Sequence, residues 1–139
     1  MNKVFVDSDV ILDLLAHRVP HFHFSALMFT FGDMNKIELY TSPTVFCNVF
    51  YIFQKELGIE KAKESLRKLR LIVKVIDSSE KTIDSALNSV FSDFEDAIQY
   101  YTAQNHQIST IVTRNLKDYK LDGIVVQTPE MFLCSAGLL

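Results

Sequence analysis

The chain has 139 residues, a length that suits one domain (residues 1–139) with a core of useful size. It is 48% hydrophobic and 22% charged with no low-complexity tract, which excludes a disordered chain. A net charge of −3 excludes a broadly basic nucleic-acid binder, so a nucleic-acid substrate would need a local basic patch or bound metal ions.

"KVFVDS" opens with a compact strand over residues 4–6, apolar at successive positions, as in a parallel sheet buried on both faces. "DVILDLLAH" follows, with Val10, Ile11, Leu14 and Leu15 at helical spacing. Pro20 separates it from a second helix over residues 21–34, whose apolar members are Phe22, Leu27, Met28 and Phe31. "IELYT" reads as a strand. "SPTVFCNVFYIFQKEL" reads as a helix with Ser42 as N-cap, Pro43 at its first position and Gly58 ending it. "IEKAKESLRKLRL" is an amphipathic basic helix, "IVKVI" a short strand, and "SSEKTIDSALNSV" a helix with a capping-box start. "DFEDAIQYYTAQNH" is a helix, "STIVT" a buried strand, "RNLKDYKLDG" a loop, "IVVQT" a last strand and "PEMFLCSA" a closing helical turn.

Strands alternating with helices predict an α/β fold with a central parallel sheet of about five strands and helices on both faces. No apolar run spans a bilayer and the N-terminus lacks a signal-peptide pattern, so the expectation is a soluble cytoplasmic protein with no membrane partner. Cys47 and Cys134 sit among apolar residues and are expected to be buried free thiols.

Ligands of such folds bind beyond the carboxyl ends of the strands. There the chain carries Asp7 and Asp9 after the first strand, and Arg114, Asn115 and Asp118 after "STIVT". The helix before that strand opens with Asp93, Glu95 and Asp96. If the two strands are neighbours, these groups meet at one edge. Carboxylates converging from separate segments repel unless a divalent cation lies between them, and hard oxygen donors favour Mg²⁺ or Mn²⁺. Plainer roles compete. Asp7 fits an N-cap, and Asp9 and Asp13 fit a helix dipole or solvent. Ser92 with Glu95 fits a capping box, and Asp93 fits an alternative cap. Phe94, Ala97, Ile98 and Tyr101 form one stripe expected to face the core, with Asp93 and Asp96 about 60° apart and opposite it.

At these residues the chain resembles the PIN-domain family of metal-dependent ribonucleases. "VFVDSDVILDLL" resembles the family's opening strand-acid-helix segment, "FEDAIQYYTA" its D-A-hydrophobic helix, and "IVTRNLKDY" its final T-R-D motif with a trailing D-F. The likeness runs from about residue 3 to residue 132. It implies a three-layer α/β/α sandwich and an acidic pocket holding Mg²⁺ or Mn²⁺, with phosphodiester hydrolysis by metal-activated water. Asp7 and Asp96 carry over as metal-binding acids. Asn48 and Asn115 stand where the family usually has acids, leaving Asp118 as the nearest carboxylate after the T-R pair. The resemblance therefore assigns catalysis to Asp7, Asp96 and Asp118, and metal binding to Asp7, Asp96, Asp93 and Asn115. Asn48, Glu95, Asp9, Ser8 and Thr113 are supporting groups, and Arg114 and Lys117 phosphate contacts. The commonest small members resemble VapC-type toxins, which implies an RNA substrate, a homodimer and an antitoxin partner. The alternatives are a PIN-like binding module weakened at Asn48 and Asn115, and a haloacid-dehalogenase-like phosphatase using Asp7 and Asp9.

Two other features read as structural. The basic run Lys61, Lys63, Arg67, Lys68 and Arg70 could track an RNA backbone but fits a solvated face better. His17, His21 and His23 straddle Pro20, a spacing that does not point three rings at one ion.

Overall fold

A computed structural model of the protein describes residues 1–119 and 123–139. The chain runs through β1 (Lys3–Val6), α1 (Ser8–Leu15), α2 (Phe22–Asp33), β2 (Glu38–Thr41), α3 (Pro43–Leu57) and α4 (Ile59–Arg70). It continues through β3 (Val73–Val75), α5 (Glu80–Leu87), α6 (Phe94–Asn105) and β4 (Thr110–Val112). A 3-10 turn (Leu116–Asp118), β5 (Val125–Gln127) and α7 (Pro129–Ser135) follow. Residues 120–122, part of the predicted loop over 114–123, lie outside the described residues.

All five strands pair in parallel, in the order β3-β2-β1-β4-β5. β1 is central, and Val4, Phe5 and Val6 are fully buried. That explains its unbroken apolar sequence, because a strand covered on both sides has no polar face to alternate with. Right-handed crossovers put α1 to α4 on one face of the sheet and α5 and α6 on the other. The main core gathers Phe5, Ile11, Met28, Leu39, Val45, Ile111 and Leu133. A smaller cluster of Ala86, Ala97 and Ile98 joins α5 to α6. No helix among the described residues is long and apolar enough to cross a membrane.

The caps explain several boundaries. Ser42 Oγ accepts from Val45 N at 3.3 Å, with Pro43 behind it, so α3 begins where the sequence predicts. Gly58 ends α3 at φ 86°, a left-handed conformation that favours glycine. Ser79 and Thr82 form a reciprocal capping box at α5.

Three expectations are corrected. Cys47 and Cys134 are exposed, not buried. Their segments look apolar all round, yet α3 buries the Val45, Val49 and Phe53 stripe, and α7 buries Phe132 and Leu133. Phe94 is 48% exposed, because Phe91 from the preceding loop packs against the Ala97 and Ile98 cluster instead. The cap of α6 is Asp93, not Ser92: Asp93 Oδ1 accepts from Asp96 N at 3.1 Å.

Ser42 is fully buried and its hydroxyl holds the start of α3. Ser42→Ala should therefore lower stability by about 1 kcal/mol in urea unfolding. An unchanged midpoint would mean that the cap contributes nothing.

Candidate active site

The strand order switches at β1 and β4: the chain builds β2 and β3 to one side of β1, and β4 and β5 to the other. The crevice beyond the strands opens here. The register pairs Phe5 with Ile111 and Val6 with Val112, so the next residues, Asp7 and Thr113, arrive level. Asp7 N donates to Val112 O and Thr113 N to Gln127 O, each at 3.0 Å, so the sheet fixes both backbones.

Asp7 is 6% exposed and caps α1, its Oδ1 accepting from Ser8 N at 2.7 Å. Its Oδ2 accepts from Thr113 Oγ1 at 2.8 Å and faces the Tyr119 hydroxyl at 3.3 Å. Burial raises its pKa to about 6, and the charges of Asp9 and Glu95 add to that against the opposing bonds from Thr113 and Ser8. Asp9 shares the Thr113 hydroxyl at 3.2 Å and accepts from Arg114 N at 3.0 Å. Burial raises its pKa too, although these bonds oppose the rise.

The first turn of α6 supplies the opposing acids. Asp96 Oδ1 faces the same Tyr119 hydroxyl at 3.4 Å. Burial raises its pKa to about 7, followed by the charges of Asp93, Asp7 and Asp118. Glu95 Oε1 accepts from Asn48 Nδ2 at 2.9 Å and from Gln99 Nε2 at 3.3 Å. Burial and then Asp93 raise its pKa, and the Asn48 bond lowers it. The second N–H of Asn48 goes to Ser8 Oγ at 3.1 Å, tying α3 to α1.

These groups line a cavity of about 230 Å³. Asp7, Ser8, Asp9, Asn48, Asp93, Glu95, Asp96, Asn115 and Asp118 all reach it. Asn115 and Asp118 are exposed on its rim, and Thr113 is buried behind it. Lys117 is exposed and is not part of the lining. Arg114 is placed differently from a free phosphate contact. Its Nε and Nη2 donate to Asp13 Oδ2 and Oδ1 at 2.6 and 3.0 Å. Asp13 is 0% exposed, so its predicted dipole or solvent role gives way to a buried, bidentate ion pair.

Sequence reasoning missed Tyr119 and Gln99. The Tyr119 hydroxyl lies 3.1 Å from Gln99 Oε1, in addition to the two carboxylates. One proton thus faces three acceptors, and burial, followed by the charges of Asp7 and Asp96, pushes the phenol pKa up, so it stays protonated. The one available signal was local: Tyr119 directly follows Asp118, and Gln99 lies one turn after Glu95 and Asp96.

The donor set suits a hard dication in part. Two hydroxyl protons, on Thr113 and Tyr119, serve acceptor oxygens of Asp7, Asp9, Asp96 and Gln99. A cation relieves such a surplus. Among the described residues no group of three or more His, Cys, Asp or Glu side chains is placed to hold a metal ion, the three histidines included. Mg²⁺ needs no complete protein shell, since it keeps several waters and takes one or two carboxylates.

A PIN domain model matches residues 3–117. The chain belongs to the PIN domain family. It is 27% identical over 134 residues to ribonuclease VapC1 of Aquifex aeolicus, covering 93% of this chain and 92% of that protein. In fold it is similar to DNA-bound VapBC from Salmonella typhimurium, at 14% identity and a TM-score of 0.69, over 93% of this chain and 99% of that one. It is also similar in fold to VapC20 of Mycobacterium tuberculosis, a sarcin-ricin loop cleaving toxin, at 15% identity and a TM-score of 0.62, over 78% and 86% of the two chains.

Two predictions follow from the geometry of this PIN domain. Arg114→Ala strands the buried Asp13 charge and should cost about 3 kcal/mol in urea unfolding. A loss below 1 kcal/mol, roughly the range of an exposed pair, would rule out the anchoring role. The second concerns pH. Asp7 and Asp96 hold protons more tightly folded than at the ordinary value of 3.8. Above about pH 7 both charges and their full repulsion are present. As pH falls through about 7 and 6, the folded state takes up protons and gains stability over the unfolded chain. The melting temperature of metal-free protein should therefore rise between about pH 8 and about pH 5. Asp96→Asn should flatten that rise, and a flat wild-type profile would contradict it.

Proposed function

We propose that this PIN domain is a divalent-metal-dependent endoribonuclease, the toxin of a toxin–antitoxin pair. The observation that carries the reading is the surplus of acceptor oxygens where Asp7 and Asp96 meet the single Tyr119 hydroxyl. Two carboxylates with raised pKa values, one directly after β1 and one from the first turn of α6, need positive charge between them. Mg²⁺ or Mn²⁺ would be held by Asp7 and Asp96, with Asp93, Asp118 and Asn115 around the opening. When bound it would lower the pKa of a water and polarise a phosphoryl oxygen. Thr113 and Ser8 hold Asp7 in place, and Thr113 also holds Asp9. Lys117, exposed next to Asp118 of the cavity lining, would be the phosphate contact, since the Arg114 side chain is held by Asp13 and its backbone N–H by Asp9.

The likeness to ribonuclease VapC1 supports the reaction class. The likeness in fold to a toxin–antitoxin complex from Klebsiella pneumoniae, at a TM-score of 0.67, supports a protein partner. A homodimer follows from the same reading.

The deciding experiment is cleavage of a structured RNA with Mn²⁺, alongside calorimetric Mn²⁺ titration. The wild type should cleave and should stop cleaving in a chelator. Asp7→Asn and Asp96→Asn should each lose at least about 100-fold in rate and bind Mn²⁺ more weakly. If no Mn²⁺ binds at about millimolar concentration and Asp96→Asn leaves cleavage unchanged, the enzyme reading fails and a binding module takes its place.

A further inference from the structure

A second cavity, of about 410 Å³, adjoins the acidic one. Pro20, His21 and Phe24 line it from the start of α2, Arg114 from the segment after β4, and Thr128 and Glu130 from the start of α7. The Asp13–Arg114 pair stands at the border. Asp9 lines the acidic cavity, while Asp13, one turn along α1 or about 6 Å away, lines the second. Arg114 lines the second cavity, and its neighbour Asn115 the first.

We propose that this second cavity receives a nucleobase of the RNA, from a nucleotide next to the phosphodiester that is cut. The inference rests on the ribonuclease reading and adds where sequence preference is set. The volume lies in the range of small-ligand pockets. Its lining offers what an unstacked base needs. Phe24 and His21 are in its lining, and aromatic rings and guanidinium planes are the usual stacking partners of splayed bases. Two bonds from a fully buried carboxylate hold the Arg114 guanidinium in one plane. The pair is therefore a rigid platform and not a mobile phosphate clamp. Glu130 is exposed at the rim and only accepts hydrogen bonds when ionised, so it selects base edges that offer N–H donors. The Thr128 hydroxyl already caps α7 by accepting from Met131 N at 3.2 Å, and its own proton remains to be donated.

The test has a binding arm and a cleavage arm. In the first, metal-free protein is titrated with the common ribonucleosides, which carry no phosphate to be repelled by the acidic cavity. Amide resonances around residues 21–24 and 128–130 should shift, and His21→Ala and Phe24→Leu should weaken binding roughly tenfold. Phe24→Leu keeps apolar bulk in the wall, so folding survives while the aromatic face is lost. In the second arm, an RNA with one flanking base removed should show KM raised roughly tenfold for wild type but not for Phe24→Leu. Unmoved resonances with every ribonucleoside would overturn the proposal. So would variants that cleave all sequences as the wild type does. If a protein partner moves these resonances and no ribonucleoside does, the cavity is a protein-docking site and the proposal falls. A wild type that cleaves no RNA with Mn²⁺ sinks the ribonuclease reading separately, whatever the ribonucleoside titration gives.

Discussion

The carboxylates of Asp7 and Asp96 share one phenolic hydroxyl, and the architecture is organised around keeping them there. Asp7 is fixed by the sheet: its backbone joins the β1–β4 pairing and its Oδ1 caps α1. Asp96 reaches the same point from α6, on the opposite face, because Asp93 starts that helix at the crevice. Right-handed crossovers and the strand-order switch bring these two segments to one edge without a loop having to carry either acid. Moving α6 by a turn would separate the acids by about 5 Å.

Holding them there works against stability. Asp7, Asp9, Glu95 and Asp96 all have raised pKa values, each with burial as the first cause. Such strain is found where function has a use for it. One turn along α1 the fold does the opposite. Asp13 is more deeply buried than Asp7, yet it is paired through two bonds with a guanidinium. The comparison separates two uses of buried charge on one helix. A paired aspartate anchors the segment after β4, and unpaired ones nearby stay available to a cation. The anchored segment supplies Thr113, which steadies Asp7 and Asp9, so the stable pair supports the unstable group.

Much of this was legible in the sequence, for physical reasons. A strand with no polar alternation must be covered on both faces, so "VFV" announced a doubly buried parallel strand and put Asp7 directly after its end. The cap at Ser42 was a local signal and fell where expected, and the capping-box start read in "SSEKTIDSALNSV" is formed by Ser79 and Thr82. What was not legible depended on partners far away in the chain. Asp13 and Arg114 are 101 positions apart, and either alone looks like a surface charge. Tyr119 and Gln99 are residue types that usually reach solvent, and only the fold shows them buried between acids. Phe94 was misplaced because Phe91, three positions earlier, fills the same stripe.

Asn48 shows how a site can shift an acid between elements. A glutamate there would point a second negative charge at Glu95, whose Oε1 lies 2.9 Å from the Asn48 amide nitrogen. The amide removes that repulsion and supplies a donor, so Glu95 is held by Asn48 on one side and Gln99 on the other. The carboxylate that α3 lacks is thus offered by α6, into the same cavity. Asn115 has no comparable arrangement: it is exposed, and Asp118, one 3-10 turn later, is the acid nearest in sequence. The two asparagines are therefore unequal departures. At residue 48 the charge is relocated and braced, whereas at residue 115 it moves to the rim, where solvent weakens its pull on an ion. On the proposed metal reading, any cation affinity lost relative to an all-acid site should trace to the residue 115 side of the cavity.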